Sequence, residues 1–332
     1  MSSDREDIIN VLRHNSGFDE PELWADYALR HRFKPVQATK ITQCPDCDAD
    51  PSRTLGQFVY YSSLLHLLLC SRCGLIWMDA HIDPHIMDEH FERTYKDDTY
   101  FGVHREAIFQ HLAAVIDKLA HRGARVLDIG GARGDCMQKV LLRRPDLHVT
   151  VQDISKSATR SAATHLNLDV VCGHLHALES RAQQYDLVVL SDVLYYEPQL
   201  TSLWSVLSSL IRPEGSILIR IPNKFLFIRL AQLWFDLRHR KAQRKLQDRV
   251  RCLNPEHIYI FRRQYLETRL RAFGFNQVYS LPSPLLASSM VRLHEAYFYL
   301  ASIASALPRR ALVLTPSMLV IGSHRHLRHQ PA

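Results

Sequence analysis

The second half of the chain alternates short apolar stretches with stretches of helical periodicity. Each apolar stretch is continuous and ends at turn-forming or acidic residues. Continuous apolar strands separated by helices are typical of a parallel sheet that is covered on both faces. We therefore predict a doubly wound α/β domain with a ligand crevice at the carboxyl ends of its strands. The predicted strands are ARVLDIGG (124–131), HVTVQDI (148–154), DVVCG (169–173), YDLVVLSD (185–192) and SILIRIPN (216–223).

The region before this domain has a different character. Residues 1–39 carry two helix-like stretches separated by Gly17 and Pro21. Residues 40–80 combine paired cysteines with short β-like runs, and residues 81–110 have the pattern of a connector with aromatic anchors. We therefore predict a small cysteine-bearing module and a connector ahead of the large domain.

The large domain is predicted to span residues 111–325, with a short tail at 326–332. An inserted basic and aromatic helical lid is expected at 224–256. The first half of this insertion is apolar and its second half is basic, so the helix could simply pack one half and expose the other. It could also bind an anionic substrate, an acidic membrane surface or a phosphate-rich RNA. Near the C-terminus, ALVLTPSMLVIGSH (311–324) predicts two further strands.

The amino-acid composition narrows the choice of protein class and of cellular compartment. Of the 332 residues, 46% are hydrophobic and 23% are charged, which are ordinary values for a globular protein with a sizeable core. No apolar run reaches the ~18 residues that a membrane span needs. The polar start MSSDREDIIN does not resemble a signal peptide, so we expect a cytoplasmic protein. The net charge of +7 reflects a solubility bias or indicates an acidic partner.

A glycine-rich turn follows the first strand of the large domain, in VLDIGGARGD (126–135). Gly130, Gly131 and Gly134 allow the backbone to turn sharply and to approach a ligand closely. The helix that follows presents free N–H groups and the positive end of its dipole. The glycine spacing is not the G-x-G-x-x-G of a dinucleotide-binding loop. Instead, Asp128 stands two residues before the first glycine, which indicates another kind of cofactor.

This turn resembles motif I of the class I S-adenosylmethionine-dependent methyltransferases, D-x-G-x-G-x-G, with Ala132 in place of the middle glycine. Later segments resemble the same family in the expected order, and the resemblance covers residues 105–325. It implies a seven-stranded Rossmann-like sheet, with S-adenosylmethionine as the cofactor. The later segments are YDLVVLSDVLYYEP, LIRPEGSILIRIPN and HIYIFRRQYLETRLRAFGF.

Further cofactor contacts are expected at the ends of the following strands. Asp153 ends the second strand, where an acid can accept both ribose hydroxyls; taken alone, it could equally cap the next helix. The resemblance adds Ile154 beside it. It also implies adenine recognition at His174, where the family has an acid, and at backbone groups near Leu175. Ser191 ends the fourth strand, which in the family lies near the point of methyl transfer.

The chemistry of transfer places few demands on the protein. A sulfonium methyl is already activated, so the protein must align the acceptor and exclude water. An oxygen or carbon acceptor usually also needs a base. His257, in NPEHIYIF, resembles the histidine of a Glu-His pair in sugar C-methyltransferases and is the first candidate, with Tyr195 the second. Both side chains could instead be packing residues. Tyr196 and Tyr100 are candidate lid or substrate contacts.

Four of the seven cysteines form two tight pairs, CPDC (44–47) and CSRC (70–73), separated by 22 residues. Two such turns offer four thiolates to one tetrahedral ion, which predicts a zinc ribbon. A redox dithiol would need only one pair. Asp48 and Gly74 follow the pairs and tolerate the left-handed backbone that a closing turn often needs. A site of four cysteines leaves no open position, so the predicted zinc is structural. The expected ligands are Cys44, Cys47, Cys70 and Cys73.

The order of these regions along the chain also resembles that in a known group of enzymes. A zinc ribbon, an F-x-R-x-Y-x-x-x-x-Y connector and then motif I resemble a group of bacterial methyltransferases. That group includes deoxysugar C-methyltransferases and other enzymes of sugar or polyketide tailoring. The connector residues are Phe91, Arg93, Tyr95 and Tyr100.

We therefore expect methyl transfer to the oxygen or carbon of a small-molecule or glycan acceptor, which the basic charge predicts to be anionic. The first alternative is an RNA base methyltransferase whose zinc ribbon contacts RNA. No RRM or KH signature supports it, and IPNKF stands where amino-group methylators have Asn-Pro-Pro-aromatic. The second alternative is a binding protein that keeps the fold without catalysis. An NAD-dependent oxidoreductase is disfavoured by the glycine spacing.

Overall fold

The computed structural model describes two compact units. The cysteine unit comprises the described residues within Met1–Met87 and Phe227–Ile260, and the large unit those within Asp88–Leu226 and Phe261–Ala332. The described residues are 39–60, 63–81, 88, 91–92, 95, 105–197, 199–225, 257–284, 315 and 317–324. The predicted helical stretches before residue 39, the lid at 226–256, Arg93, Tyr100 and the tail lie outside these residues.

A seven-stranded mixed sheet forms the core of the large unit, which confirms the predicted Rossmann-like class. Its order is β12-β13-β10-β9-β6-β7-β8, and β6 to β10 pair in parallel. β13 runs antiparallel to both of its neighbours. The strands are β6 (Arg125–Ile129), β7 (His148–Asp153), β8 (Asp169–Cys172), β9 (Tyr185–Ser191), β10 (Ile211–Pro222), β12 (Gln277–Ser283) and β13 (Ser317–Ser323).

The end of the chain differs from the prediction of two strands within residues 311–324. The described part of this stretch forms β13 alone, and the other late strand is β12, which pairs with β13 from Gln277–Ser323 to Ser283–Ser317. The sequence of β12, QVYSLPS, lacks a continuous apolar run and contains Pro282. A proline is tolerated there because β12 is an edge strand of the sheet that the described residues form.

Helices connect the parallel strands as the alternation of patterns predicts. In α1 the buried residues recur at helical spacing, with Ile108, Leu112 and Ile116 all fully buried. α2 begins directly after Gly134, and α3 begins after Ser155, whose Oγ accepts a hydrogen bond from the N–H of Ala158. The helices are α1 (Glu106–Leu119), α2 (Asp135–Arg143), α3 (Lys156–Leu166), α4 (Leu200–Leu210) and α5 (Arg263–Ala272).

The cysteine unit contains a four-stranded antiparallel sheet in the order β11-β4-β3-β2 and a separate pair, β1-β5. β2 and β3 form a hairpin that ends at Cys70, the first cysteine of the second pair. β11 comes from far along the chain and pairs Tyr259 with Trp77 and Ile260 with Ile76. The strands are β1 (Thr39–Lys40), β2 (Pro51–Tyr60), β3 (Ser63–Cys70), β4 (Ile76–Met78), β5 (Ala80–His81) and β11 (Tyr259–Ile260).

Among the described residues, none of the helices has the length and apolar character that crossing a membrane requires.

Candidate functional site

The glycine turn after β6 adopts the sharp conformation that its sequence predicts. Gly130 and Gly134 have φ angles of 66° and 81°, and Ala132, at the position of the middle glycine, has φ 50°. An alanine in this left-handed region is strained by about 1–2 kcal/mol. Gly130 also leaves room for a neighbour, because a Cβ there would lie 2.4 Å from Cγ2 of Val193. The turn is therefore held close to the segment that follows β9.

Asp128 lies beneath this turn in the interior of the sheet. Its side chain is buried, and a Cβ at Gly131 would lie 2.6 Å from its Oδ2. Burial, with a smaller contribution from the Asp153 carboxylate, raises the pKa of Asp128 to about 8. Near neutral pH this residue is mostly a neutral acid that supports the turn.

Asp153, at the end of β7, is held by two backbone N–H groups. Its Oδ2 accepts a hydrogen bond from Ala132 at 2.9 Å, and its Oδ1 accepts one from Ser155 at 2.9 Å. Burial raises the pKa of Asp153 to about 6 in spite of these bonds. Ser155 is the N-cap residue of α3, so the alternative role of Asp153 as that cap is wrong. Asp153 is instead anchored beside the glycine turn.

Gln152 joins two loops of the site and was not among the predicted residues. Its Oε1 accepts a hydrogen bond from the N–H of Gly130 at 3.3 Å. Its Nε2 donates to the carbonyl of Gly173, at the turn after β8. The side chain is buried at only 3% exposure, so it braces the carboxyl ends of β6, β7 and β8. No local signal in the sequence marks this role, because the partners of Gln152 are 22 and 21 residues away along the chain.

Three connector residues lie against the same end of the sheet. Glu92 accepts a hydrogen bond from Ser155 Oγ at 2.7 Å, and the Arg133 guanidinium donates to the carbonyl of Tyr95. The ring of Phe91 meets that of Tyr196 edge-on at 5.0 Å. The aromatic anchors of the connector therefore pack on the segment after β9.

The other predicted cofactor residues lie on neighbouring loops. Ile154 follows Asp153, and its carbonyl lies 3.9 Å from Cys172 Sγ. His174 precedes a 3-10 helix and bonds through Nε2 to Asp88 Oδ2 at 3.1 Å, with half of its side chain exposed. Leu175 is buried. The structure thus brings the turns after β7 and β8 to one edge of the sheet, and the adenine-binding roles remain predictions.

Ser191 and Tyr195 lie at and after the end of β9. The Oγ of Ser191 is buried and has no hydrogen-bond partner among the described residues. Burial, assisted by the nearby Asp192 carboxylate, raises the pKa of Tyr195 well above 10. This phenol therefore stays protonated near neutral pH and is poorly suited to act as a base.

His257, the first candidate base, lies in the cysteine unit directly before β11. Its side chain is buried at 7% exposure, and the adjacent Ile258 carbonyl accepts a hydrogen bond from Met78 on β4. The structure places this histidine two residues before a strand of the cysteine unit, and its catalytic role remains a prediction.

A buried ion pair, which was not predicted, lies where β9 and β10 end. Asp192 binds Arg220 through Oδ2, and their side chains are 7% and 3% exposed. The Nε of Arg220 also donates to Ser283 Oγ at 2.9 Å, and its Nη2 donates to the Pro284 carbonyl at 2.7 Å. Arg105, before α1, approaches Asp192 at 3.9 Å. This pair places buried charge at the carboxyl ends of β9 and β10.

The four paired cysteines converge in the cysteine unit. Their sulfurs all lie within 4.8 Å of one another, and Cys44–Cys73 and Cys47–Cys70 are each 3.5 Å apart. Ligands about 2.3 Å from a tetrahedral zinc would be about 3.8 Å apart, so the spacing fits that ion. The left-handed backbone expected at residues 48 and 74 is confirmed, with φ angles of 57° and 78°. A four-thiol cluster is thus preformed.

Comparison with known proteins identifies the large unit. Residues 104–280, more than half of the chain, match the family model described as a methyltransferase domain. The chain belongs to the methyltransferase family. The methyltransferase is 29% identical over 186 residues to a ubiquinone biosynthesis O-methyltransferase of Aromatoleum aromaticum, an alignment that covers 52% of this chain and 79% of that protein. We conclude that it is an S-adenosylmethionine-dependent enzyme.

Two solved structures resemble the methyltransferase at low sequence identity. An S-adenosylmethionine-dependent methyltransferase of Archaeoglobus fulgidus superposes with a TM-score of 0.44 at 18% identity, covering 73% of this chain and 100% of that chain. One of Thermotoga maritima superposes with a TM-score of 0.45 at 14% identity, covering 73% and 99%.

The geometry of the methyltransferase fits the cofactor of its family. The glycine turn leaves an open backbone, and Asp153 is held beside it at the end of the neighbouring strand. Gly131 lacks the Cβ that would crowd Asp128. The residues predicted to hold S-adenosylmethionine remain those of the sequence analysis: Asp128, Gly130, Gly131 and Gly134 of the turn and its support, together with Asp153, Ile154, His174, Leu175 and Ser191.

Proposed function

We propose that this methyltransferase transfers the methyl group of S-adenosylmethionine to an oxygen or carbon of an anionic small-molecule or glycan acceptor. The observation that carries the proposal is the anchoring of Asp153 beside the glycine turn, within a chain of this family. The sulfonium supplies an activated methyl group, so the protein's own residues need only bind, orient and exclude water.

The acceptor class rests on the charges at the carboxyl end of the sheet. Arg105 lies at this edge beside the Asp192–Arg220 pair, and Lys224 follows β10 as a buried lysine with 9% exposure. Cationic side chains next to the crevice favour an anionic acceptor. A small-molecule oxygen is further supported by the similarity to the O-methyltransferase of Aromatoleum aromaticum, which is named for ubiquinone biosynthesis.

We also propose that Cys44, Cys47, Cys70 and Cys73 hold a structural zinc ion. Four converging sulfurs at tetrahedral spacing, on two turns that are each followed by a residue with positive φ, support this ligand set. All four positions are taken by cysteine, so the ion would stabilise the cysteine unit and would not bind the acceptor.

The proposal is tested by following the methyl label. The purified full chain is incubated with methyl-labelled S-adenosylmethionine and matched acceptors: phenolic acids, their neutral methyl esters, nucleotide sugars and transfer RNA. We expect labelling of an anionic small molecule or glycan. The acid should have a kcat/KM about tenfold or more above that of its neutral methyl ester, because the ester loses one charge-assisted contact with the protein. Asp153→Ala should abolish labelling.

Other outcomes would overturn the proposed acceptor. Labelling confined to RNA would establish the base methyltransferase, and equal labelling of acids and esters would contradict an anionic acceptor. Binding of S-adenosylmethionine with no labelling of any acceptor class would favour a non-catalytic binding protein.

A further inference from the structure

A cavity lies at the amino ends of the parallel strands, at the edge of the sheet opposite to the glycine turn. Its volume of about 650 Å³ falls within the range of about 300–1,000 Å³ that is typical of small-molecule sites. The first residues of three strands line it, namely Arg125 of β6, His148 of β7 and Asp169 of β8. The cavity belongs to the large unit, and the proposed methyl transfer does not use it.

Leucine side chains form an apolar wall of this cavity. Leu141 on α2 and Leu166 on α3 contribute to it, together with Leu147 and Leu168, which stand directly before β7 and β8. Leu141 and Leu166 pack on the core but are only partly buried, so some of their apolar surface remains open to solvent. Burial of this surface by the apolar body of a ligand would be favourable.

Two charged residues of the lining are already paired within the protein. Asp169 accepts hydrogen bonds from Thr150 Oγ1 at 2.8 Å and from Arg181 Nη1 at 2.7 Å. Arg212 donates from Nη1 to both carboxylate oxygens of Asp186 at 3.0 Å. The charges of Asp169 and Arg212 are therefore balanced without a ligand.

Arg125 differs from these residues. Its backbone N–H donates to Asp186, but its guanidinium forms no ion pair or hydrogen bond with any residue that the structure describes. The side chain is exposed, and His148 lies opposite Arg125 in the register of β6 and β7. Neighbouring strands are about 4.8 Å apart, so a guanidinium and an imidazole are neighbours at the cavity. A guanidinium of this kind suits the planar fork of a carboxylate.

The length of β6 separates this cavity from the glycine turn. Arg125 begins the strand and Gly130 directly follows its end. Five residues at about 3.3 Å each place the two positions roughly 16 Å apart. Methyl transfer needs the reacting atoms within about 3.5 Å of each other. A ligand bound at the amino ends of the strands is therefore not the methyl acceptor.

We propose that this cavity is a second binding site, which takes a small amphipathic monoanion. The carboxylate of the ligand pairs with Arg125, and its apolar body packs on the leucine wall. A single negative charge is expected because Arg125 brings one positive charge that the described neighbours leave unpaired. The inference goes beyond the proposed function, since this site is separate from that of methyl transfer.

The test compares ligands that differ in charge or in apolar body. Calorimetry on the full chain measures binding of 1-naphthylacetate, of its neutral amide and of acetate, each with and without saturating S-adenosylhomocysteine. Arg125→Gln removes the unpaired charge at an exposed position. Arg160→Gln is the matched control, because Arg160 is an exposed arginine of α3 that does not line the cavity. Thermal unfolding of each variant monitors folding.

We expect the wild type to bind 1-naphthylacetate about tenfold or more tightly than the amide, as for one charge-assisted hydrogen bond, and also more tightly than acetate. Arg125→Gln should remove the advantage of the acid and leave binding of the amide unchanged. Arg160→Gln should bind all three ligands like the wild type. Saturating S-adenosylhomocysteine should not displace 1-naphthylacetate. The comparison of acid with amide uses the wild type alone and stands even if a variant does not fold.

Four results would overturn the inference. One is the absence of measurable binding of 1-naphthylacetate to the wild type, and another is equal affinity for the acid and its amide. The third is an Arg125→Gln variant that binds the acid as the wild type does. The fourth is displacement of the acid by S-adenosylhomocysteine, which would place the acid in the cofactor crevice. Failure of S-adenosylhomocysteine itself to bind would refute the proposed function and leave the comparison of ligands and variants intact.

Discussion

Asp128 supports the glycine turn but lowers the stability of the folded state near neutral pH. Its carboxyl is buried beneath the glycine turn, and burial raises its pKa from 3.8 to about 8. The folded state therefore binds the proton more tightly than the unfolded chain does. The stabilising contribution of this group is complete below pH 3.8 and is lost as the pH rises through 8. Asp153, with a pKa of about 6, acts in the same direction over a narrower range.

Replacing Asp128 with Asn should therefore change how stability depends on pH. Each pKa unit corresponds to about 1.4 kcal/mol, so the free energy of unfolding of Asp128→Asn should gain at least about 1 kcal/mol relative to the wild type between pH 6 and pH 8. Urea unfolding at several pH values measures this difference, with Asp117→Asn, an exposed position on α1, as the control. A difference that stays constant with pH would show that Asp128 is ionised throughout.

Gly131 of the turn and Gly123, which precedes β6, avoid a side chain for different reasons, and a pair of variants separates these reasons. A Cβ at Gly131 would meet Asp128 Oδ2 at 2.6 Å and Val151 Cγ1 at 2.9 Å, whereas a Cβ at Gly123 meets nothing within 4 Å but has φ 70°. We expect Gly131→Ala to abolish S-adenosylmethionine binding through crowding of the turn. Gly123→Ala should lose about 1–2 kcal/mol of stability through strain and retain binding, as measured by calorimetry and thermal unfolding. Equal cofactor affinity in the two variants would contradict the assignment.

Residues of the site were predictable from the sequence where their signal is local. The turn at Gly130 and the acid at Asp153 each stand at the end of an apolar strand, so the hydrophobic pattern of the sequence reveals them. Asp192 and Arg220 are 28 residues apart, and only the pairing of β9 with β10 brings them together. Gln152 has the same character, because its partners lie on two other loops. Long-range contacts of this kind leave no periodic or motif signal.

At the scale of elements, the continuous apolar strands were predicted and the irregular ones were not. Each of the five predicted strands corresponds to one of the parallel strands β6 to β10, since a strand buried on both faces is apolar throughout. β12 carries polar residues and a proline, which an edge position permits. β11 has only two residues, and its pairing with β4 spans a sequence distance that no local pattern reveals.

Because of this short strand, the cysteine unit depends on residues far along the chain from the cysteines. Tyr259 is 1% exposed and pairs with Trp77 on β4, which follows the second cysteine pair. We expect Tyr259→Ala to destabilise the cysteine unit by about 3–5 kcal/mol, as for other large buried aromatic residues. Zinc should then pass to a chelator faster than from the wild type.

Tyr279→Ala is the matched control, because Tyr279 is 8% exposed and lies on β12 of the large unit. It should release zinc at the wild-type rate. Equal rates from the two variants would show that β11 does not support the metal site.

At the scale of the whole molecule, the two units carry separate sites. Every residue assigned to the cofactor, from Asp128 to Ser191, belongs to the large unit, and the four cysteines belong to the other. The division expected from the sequence placed residues 111–325 in one domain. Of these residues, the described segment 257–260, which includes His257, lies in the cysteine unit. Loss of the metal should therefore affect one site without the other.

Cys70→Ser tests this independence against Cys172→Ser, an exposed cysteine of the large unit outside the cluster. Metal analysis should find one zinc per wild-type chain, none in Cys70→Ser and an unchanged content in Cys172→Ser, because a structural site needs all four thiolates. Hydrogen exchange should show lost protection of β2 to β4 in Cys70→Ser. Calorimetry should give wild-type affinity for S-adenosylhomocysteine in that variant, since the described residues that would bind it lie in the large unit. Loss of that affinity together with the zinc would instead show that the cofactor site depends on the cysteine unit for its stability.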